Sequence, residues 1–274
     1  MQNQNEDGNH FGKWQIAKDT WCITNHWANF MYLLIGSQKA MLIDTGSADG
    51  NIREIVESIT DKPVIVVNTH GHFDHTGGNS CWPDAWMSRE AAMYAKEPFS
   101  PIHREWFEEK DYPDYEIHEL SDGEIIELGD RQVKVLAIGA HSEGSLAFLD
   151  YNTRAMFTGD EIESGQVLWF VRDRNISAKE VAALHKKNME KLKAYRDSYD
   201  YLWPSHNGAP LVPDTYINDF IALDDDFIAG RQVDAPNTGG FGFPTDTQKP
   251  GSPFEFAGKL KRAEHGCAAV IYTV

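Results

Sequence analysis

From about residue 30 onward, apolar residues along this chain follow two spacings that take turns. Short runs rich in β-branched and aliphatic side chains occupy Met31–Ile35, Ala40–Ile43, Val64–Val67, Val133–Ile138, Leu146–Leu149, Ala155–Thr158 and Ala268–Val274, and each predicts a strand. Between them the spacing widens to three and four. Ile52, Ile55, Val56 and Ile59 share one face of a short helix that Asp61-Lys62-Pro63 should terminate. Ser177 with Glu180 reads as a capping box, after which Val181, Leu184, Asn188, Leu192 and Tyr195 follow at helical steps. Another helix opens at Pro213-Asp214, buries Ile217, Phe220, Ile221, Phe227 and Ile228, and stops at Gly230. Strands interleaved with helices, without an internal repeat, predict sheets covered by helices in an α/β layered architecture.

Residues 231–259 break this alternation with five glycines, four prolines and four phenylalanines. Glycine and proline at that density prevent regular elements, yet a disordered linker would not carry so many aromatics. The segment is expected to be ordered within a single domain spanning residues 1–274. It would lie across a cleft as a lid, or against a second subunit as the arm of a homodimer.

Composition narrows the class. With 274 residues, 41% hydrophobic and 24% charged, the chain suits one large globular domain. No apolar run reaches the roughly 20 residues of a membrane span. The amino terminus lacks the basic-then-apolar build of a secretory signal, so a cytoplasmic location is expected. A net charge of −17 argues against nucleic-acid partners, whose phosphates call for clustered Lys and Arg. Cys22, Cys81 and Cys267 are odd in number and far apart, which disfavours both a disulfide framework and a thiolate metal site.

The chemistry concentrates after the strand Val64–Val67, where His70, His72, Asp74 and His75 fall within six residues. His70 and His72 are two apart and project to the same side of an extended backbone, whereas Asp74 and His75 follow a turn. Imidazole and carboxylate are the usual ligands of zinc and related divalent metals. Two further segments repeat the pattern of a strand running into a polar turn, Gly139-Ala140-His141 and Gly159-Asp160, and another histidine stands in Pro204-Ser205-His206.

Together with Asp44-Thr45-Gly46, these segments resemble, in order, the motifs of the metallo-β-lactamase superfamily, whose signature is HxHxDH followed by three remote ligands. The resemblance implies an αββα sandwich of two central mixed sheets flanked by helices. It further implies two divalent metal ions, zinc or else iron or manganese. His70, His72 and His141 would hold one ion and Asp74, His75 and His206 the other, with Asp160 between them. Asp44 would brace the ligand loops, and Asp74 would also orient a metal-bridging hydroxide or handle the departing proton. The implied activity is hydrolysis of a small carboxylic ester, thioester or lactone. A mono-iron persulfide dioxygenase and a phosphodiester or phosphocholine esterase are the alternatives.

Departures from individual branches are informative. Both His75 and Asp160 are present, unlike in the dedicated β-lactamase classes. The segment after Asp160 lacks the Gly-Cys-Gly-Arg-like stretch of glyoxalase II, and Glu163 stands where acyl-homoserine lactonases carry tyrosine. The run Val167–Val171 is either a wall of an apolar substrate pocket, through Trp169 and Phe170, or a core strand. His26, with Trp27 and Phe30, lies in a segment that in the resembling family forms a loop over the active site. The histidines His10, His103, His118, His185 and His265 lack partners at ligand spacing and are read as surface or core.

Overall fold

Period-two alternation of buried side chains explains why two sheets face each other here with helices on both outer sides. The computed structural model describes residues 11–25, 29–47, 50–95, 114–169, 175–232, 234–235 and 260–273. A seven-stranded sheet runs in the order β1 (Gly12–Ala17), β2 (Thr20–Thr24), β3 (Phe30–Ile35), β4 (Ala40–Ile43), β5 (Val64–Val67), β6 (Asp84–Met87) and β7 (Glu116–Glu119). Its first four strands pair antiparallel, and β4 through β7 pair parallel. A five-stranded sheet runs β13 (Tyr201–Pro204), β11 (Ala155–Gly159), β10 (Leu146–Asp150), β9 (Gln132–Ala137) and β8 (Ile125–Glu127), with only β11–β13 parallel. Both are mixed sheets, as expected.

Odd and even residues of each strand go to different layers. Tyr32 and Leu34 of β3, Ile43 of β4, Val135 of β9 and Phe148 of β10 fill the space between the sheets. Met31, Leu33 and Val66 point the other way, against α1 (Ile52–Glu57) and α3 (Arg89–Ala95). On the far side, Leu136, Leu149 and Met156 meet α4 (Ala178–Ala194) and α5 (Pro213–Ala229). Strands buried on both faces read as continuous apolar runs, which is why β3, β4, β10 and β11 are visible in the sequence. Buried Arg131 ties the two sheets together. Its guanidinium forks onto Asp150 at 2.6 and 3.1 Å and reaches Thr20 Oγ1 at 2.7 Å and the Asp19 carbonyl at 2.8 Å.

The long helices match their sequence signals. Ser177 and Glu180 form a reciprocal capping box on α4; Pro213 opens α5, and Gly230, at φ 66°, closes it. Helix α1 ends at Glu57, earlier than Asp61-Lys62-Pro63 suggests, because the Ser58 hydroxyl takes the Ile55 carbonyl at 2.6 Å. The carboxy-terminal strand lies outside both central sheets. As β16 (Ala268–Thr273) it joins β12 (Val167–Trp169), β14 (Asp234–Ala235) and β15 (Leu260–His265) in a third, four-stranded sheet packed on α5. Most of the 231–259 segment, together with Phe170, Val171, His10, His26, Trp27, His103 and Val274, lies outside the described residues. The three cysteines are free. Among the described residues no helix is long and apolar enough to cross a membrane.

A polar pair sits where α4 crosses α5. His185 is fully buried, with Nδ1 at 2.9 Å from Asp224 Oδ2 and Nε2 at 3.0 Å from the Glu161 carbonyl. Acceptors at both ring nitrogens call for the imidazolium form. Burial works to lower the His185 pKa, but the Asp224 carboxylate outweighs it and raises the pKa from 6.5 to about 9. The stabilisation from this raised pKa is complete below pH 6.5 and is lost as pH rises through 9. Metal-free protein should therefore melt at progressively lower temperature from pH 6.5 to 9.5, with a shallower slope in Asp224→Asn. Equal slopes in the two proteins would contradict this account.

Candidate metal centre

Four strand ends converge at one edge of the sandwich. β9 and β11 both run antiparallel to β10, and β13 runs parallel to β11, so the residues after all three emerge together. They carry His141, Asp160 and His206. β5 of the other sheet delivers His70 and His72, followed by the single turn α2 (Phe73–Thr76) with Asp74 and His75. The Leu146 amide donates to the Thr69 carbonyl at 2.7 Å, stitching the two sheets beside the site. Gly159, at φ 55°, has no room for a side chain, since a Cβ there would lie 2.8 Å from Thr69 Cβ.

All seven residues singled out in the sequence come together. Among the described residues, three groups have potential ligand atoms within 4.8 Å of one another: His70, His72 and His141; His70, His75 and Asp160; and Asp74, His75 and His206. Asp160 Oδ2 is central, 3.4 Å from His75 Nε2 and His206 Nε2, 3.5 Å from His141 Nε2 and 3.9 Å from His70 Nε2. Asp74 Oδ2 lies 3.3 Å from His206 Nε2 and 3.6 Å from His75 Nε2.

The donor set fits divalent cations. Ring nitrogens face each other at 2.9 Å (His70 Nε2 and His72 Nδ1), 3.1 Å (His141 Nε2 and His72 Nδ1) and 3.4 Å (His206 Nε2 and His75 Nε2). Lone pairs so arranged repel unless protons or a cation lie between them. Burial holds His70 well below the usual imidazole range and His72 down to about 3, and lowers His141 as well, so these rings offer lone pairs. Burial alone would raise the Asp74 and Asp160 carboxyls, but the facing His75 and His206 keep both below the ordinary range. Asp160 Oδ1 is buried with no hydrogen-bond partner. An acceptor in that state is costly unless a cation completes it.

The outward-facing atoms of these side chains are held as metal-ligating groups usually are. Asp44 receives the Thr69 amide and hydroxyl, each at 2.8 Å, His75 Nδ1 at 2.9 Å and the Ser205 hydroxyl at 3.3 Å. It thus joins the loops of His70, His75 and His206, the bracing role expected of it. The Thr69 hydroxyl also lies 3.0 Å from His70 Nδ1, and the Leu168 carbonyl lies 2.7 Å from His141 Nδ1.

Buried Asn29 donates to the Asp74 carbonyl at 3.0 Å and to its Oδ2 at 3.2 Å, orienting that carboxylate. Glu163 is buried, with Asn207 Nδ2 donating to Oε2 and with Oε1 unpartnered; burial and the charge of Asp160 push its pKa up. Trp169 is no pocket wall. It is fully buried in the core, its ring centroid 5.2 Å from Phe227 and 5.6 Å from His185. Its strand serves the site instead through the backbone carbonyl of Leu168. His118 stacks on Trp86 at 4.5 Å, and His265 lies on the surface 3.6 Å from Asp226, so neither belongs to the site.

Sequence comparison agrees with this geometry: the profile of the Metallo-beta-lactamase superfamily matches residues 25–206. The chain belongs to the metallo-β-lactamase superfamily. It is 24% identical over 174 residues to the acyl-coenzyme A thioesterase MBLAC2 of Gallus gallus, a match covering 54% of this chain and 62% of the relative. It is 28% identical over 142 residues to a hydroxyacylglutathione hydrolase of Pelagibacter ubique, covering 50% of this chain and 52% of that protein. The chain thus spans about half to three-fifths of the length of these two relatives. A metallo-beta-lactamase from Pontibacter korlensis shares the fold, with a TM-score of 0.58 at 18% identity over 79% of this chain and 99% of that one.

Proposed function

We propose that this superfamily member hydrolyses a small carboxylic thioester, ester or lactone at two divalent metal ions. The observation that carries the reading is the placement of Asp160 Oδ2 within 3.9 Å of imidazole nitrogens from both ligand groups. Two ions so held would supply a hydroxide at neutral pH and polarise the acyl oxygen. His70, His72 and His141 would hold one ion, Asp74, His75 and His206 the other, and Asp160 would reach both. Asp74 is the most exposed of the two carboxylates, at 26% against 7% for Asp160, and therefore faces incoming substrate. Kept ionised and aimed by Asn29, it would orient the attacking hydroxide and accept its one proton. As the carbon–sulfur or carbon–oxygen bond breaks, the proton passes to the leaving atom.

The thioester preference draws support from the relatives named as an acyl-coenzyme A thioesterase and a hydroxyacylglutathione hydrolase. The net charge of −17 supports a small-molecule substrate over a nucleic acid.

Protein purified without chelator and assayed for metal should contain two equivalents of zinc, iron or manganese. The same protein should cleave acyl thioesters or esters in a panel that includes a lactone and bis-p-nitrophenyl phosphate. Turnover of the phosphodiester alone would overturn the acyl reading. One equivalent of iron under metal-replete conditions, with sulfite formed from glutathione persulfide, would replace it with a dioxygenase.

A further inference from the structure

Directly after Asp160 comes a second acidic residue, Glu161, which is fully buried. Burying a carboxylate is costly unless its oxygens are satisfied. The His141 amide donates to Oε2 at 2.9 Å, and the Ala140 amide lies 3.1 and 3.2 Å from Oε1 and Oε2. Asn188, on α4, donates its side-chain amide to Oε1 at 2.7 Å. The main-chain carbonyl of Glu161 is held in turn by His185, itself paired with Asp224 on α5. Three N–H donors converge on one carboxylate, and both long helices stand behind it.

This arrangement has a consequence for two neighbours on separate loops. Asp160 Oδ2 and His141 Nε2 lie 3.5 Å apart, and no covalent link shorter than β10, β11 and their turn connects them. Glu161 supplies that link from behind, because it adjoins Asp160 in sequence and grips the His141 backbone. The His141 ring is fixed separately, by the Leu168 carbonyl at Nδ1. Backbone and ring are therefore set before any ion arrives.

We propose that Glu161, supported by Asn188 and the His185–Asp224 pair, is a positioning residue that sets His141 against Asp160. Because the amide it grips is that of His141, it would thereby tune metal affinity mainly at the His70–His72–His141 group, and less at the Asp74–His75–His206 group. The proposal rests on the two-metal reading above.

Cobalt(II) titration of metal-free protein, followed by absorbance, separates the two affinities without recourse to turnover. Glu161→Met should weaken one binding step by about 10–100-fold, the usual effect of removing an outer partner of a ligand, and affect the other step far less. Glu161→Gln keeps one oxygen for the His141 amide, and Asn188 can rotate to face the new amide. That variant should stay within about fivefold of the parent, the worth of a single hydrogen bond. Asn188→Ala, a milder change that leaves the carboxylate in place, should act in the same direction as Glu161→Met but less. Hydrogen exchange in metal-free protein should show the His141 amide protected in the parent and in Glu161→Gln, and exposed in Glu161→Met. Two steps that weaken equally, in line with a lower melting temperature, would mean a merely structural role and overturn the proposal; unchanged affinities in Glu161→Met would do the same. A parent that takes up no cobalt would remove the metal centre itself. A parent that takes up two equivalents, with Glu161→Met unaltered, would remove only the role of Glu161.

Discussion

Asp160→Ala is expected to lower turnover by several orders of magnitude and to deplete metal from both ligand groups, whereas His141→Ala should deplete mainly one. The difference follows from position. His141 Nε2 belongs to a single group, but Asp160 Oδ2 lies within 3.9 Å of ring nitrogens from both. Its charge also opposes the burial that would otherwise strip protons from His75 and His206, whose Nε2 atoms lie 3.4 Å apart. Without that carboxylate, Asp74 alone is left to balance both rings, at 3.3 Å from His206 Nε2 and 3.6 Å from His75 Nε2. Metal analysis beside steady-state kinetics checks the prediction. An Asp160→Ala protein with two equivalents of metal and near-parental turnover would show that some other group spans the pair.

The second large effect is structural. Asp44→Ala removes the shared acceptor of the Thr69 amide, the Thr69 hydroxyl, His75 Nδ1 and the Ser205 hydroxyl, all buried. Breaking a buried charged network costs about 3–5 kcal/mol. Alanine would also have to adopt the φ of 61° that Asp44 occupies, a conformation that Asp and Asn tolerate better. The melting temperature should fall by roughly 10 °C, taking about 2–4 °C per kcal/mol for a chain of this size. Asp44→Asn keeps the backbone preference and should lose less. Because His75 loses the partner that orients it, its group should bind metal about 10–100-fold more weakly, and added metal should restore turnover in part. A melting curve matching the parent would deny Asp44 the bracing role.

Legibility in the sequence followed the range of the interactions involved. The capping box of Ser177 and Glu180 and the Pro213 and Gly230 ends of α5 are written within three or four residues, so they could be read directly. Strands buried on both faces announced themselves as apolar runs. The edge strands did not, because β1 and β7 leave most of their residues exposed or half-buried and alternate with charges. The same division holds at the site. His70, His72, Asp74 and His75 are neighbours in sequence, and His141 and Asp160 each follow a visible strand, whereas the strand before His206 did not stand out. Asn29 meets Asp74 across 45 residues, and His185 meets Asp224 across 39. One signal was available for the latter: His185 and Asn188 lie on the buried stripe of α4, and Asp224 sits between Phe220 and Phe227 on that of α5. Polar side chains on the buried stripes of two consecutive helices anticipate a pair. Nothing local points to Glu161 as their target.

The cluster draws its side chains from both sheets, with His70, His72, Asp74 and His75 on one side of the seam and His141, Asp160 and His206 on the other. Ions held there would act as a clasp closing the open edge of a book, while the Tyr32–Phe148 layer and Arg131 form the spine. Prying the leaves apart would then require giving up metal, and giving up metal would free the leaves to part. Such a molecule gains mechanical resistance from its own active chemistry. The rate at which such ions were lost to a chelator would then report how often the two halves part.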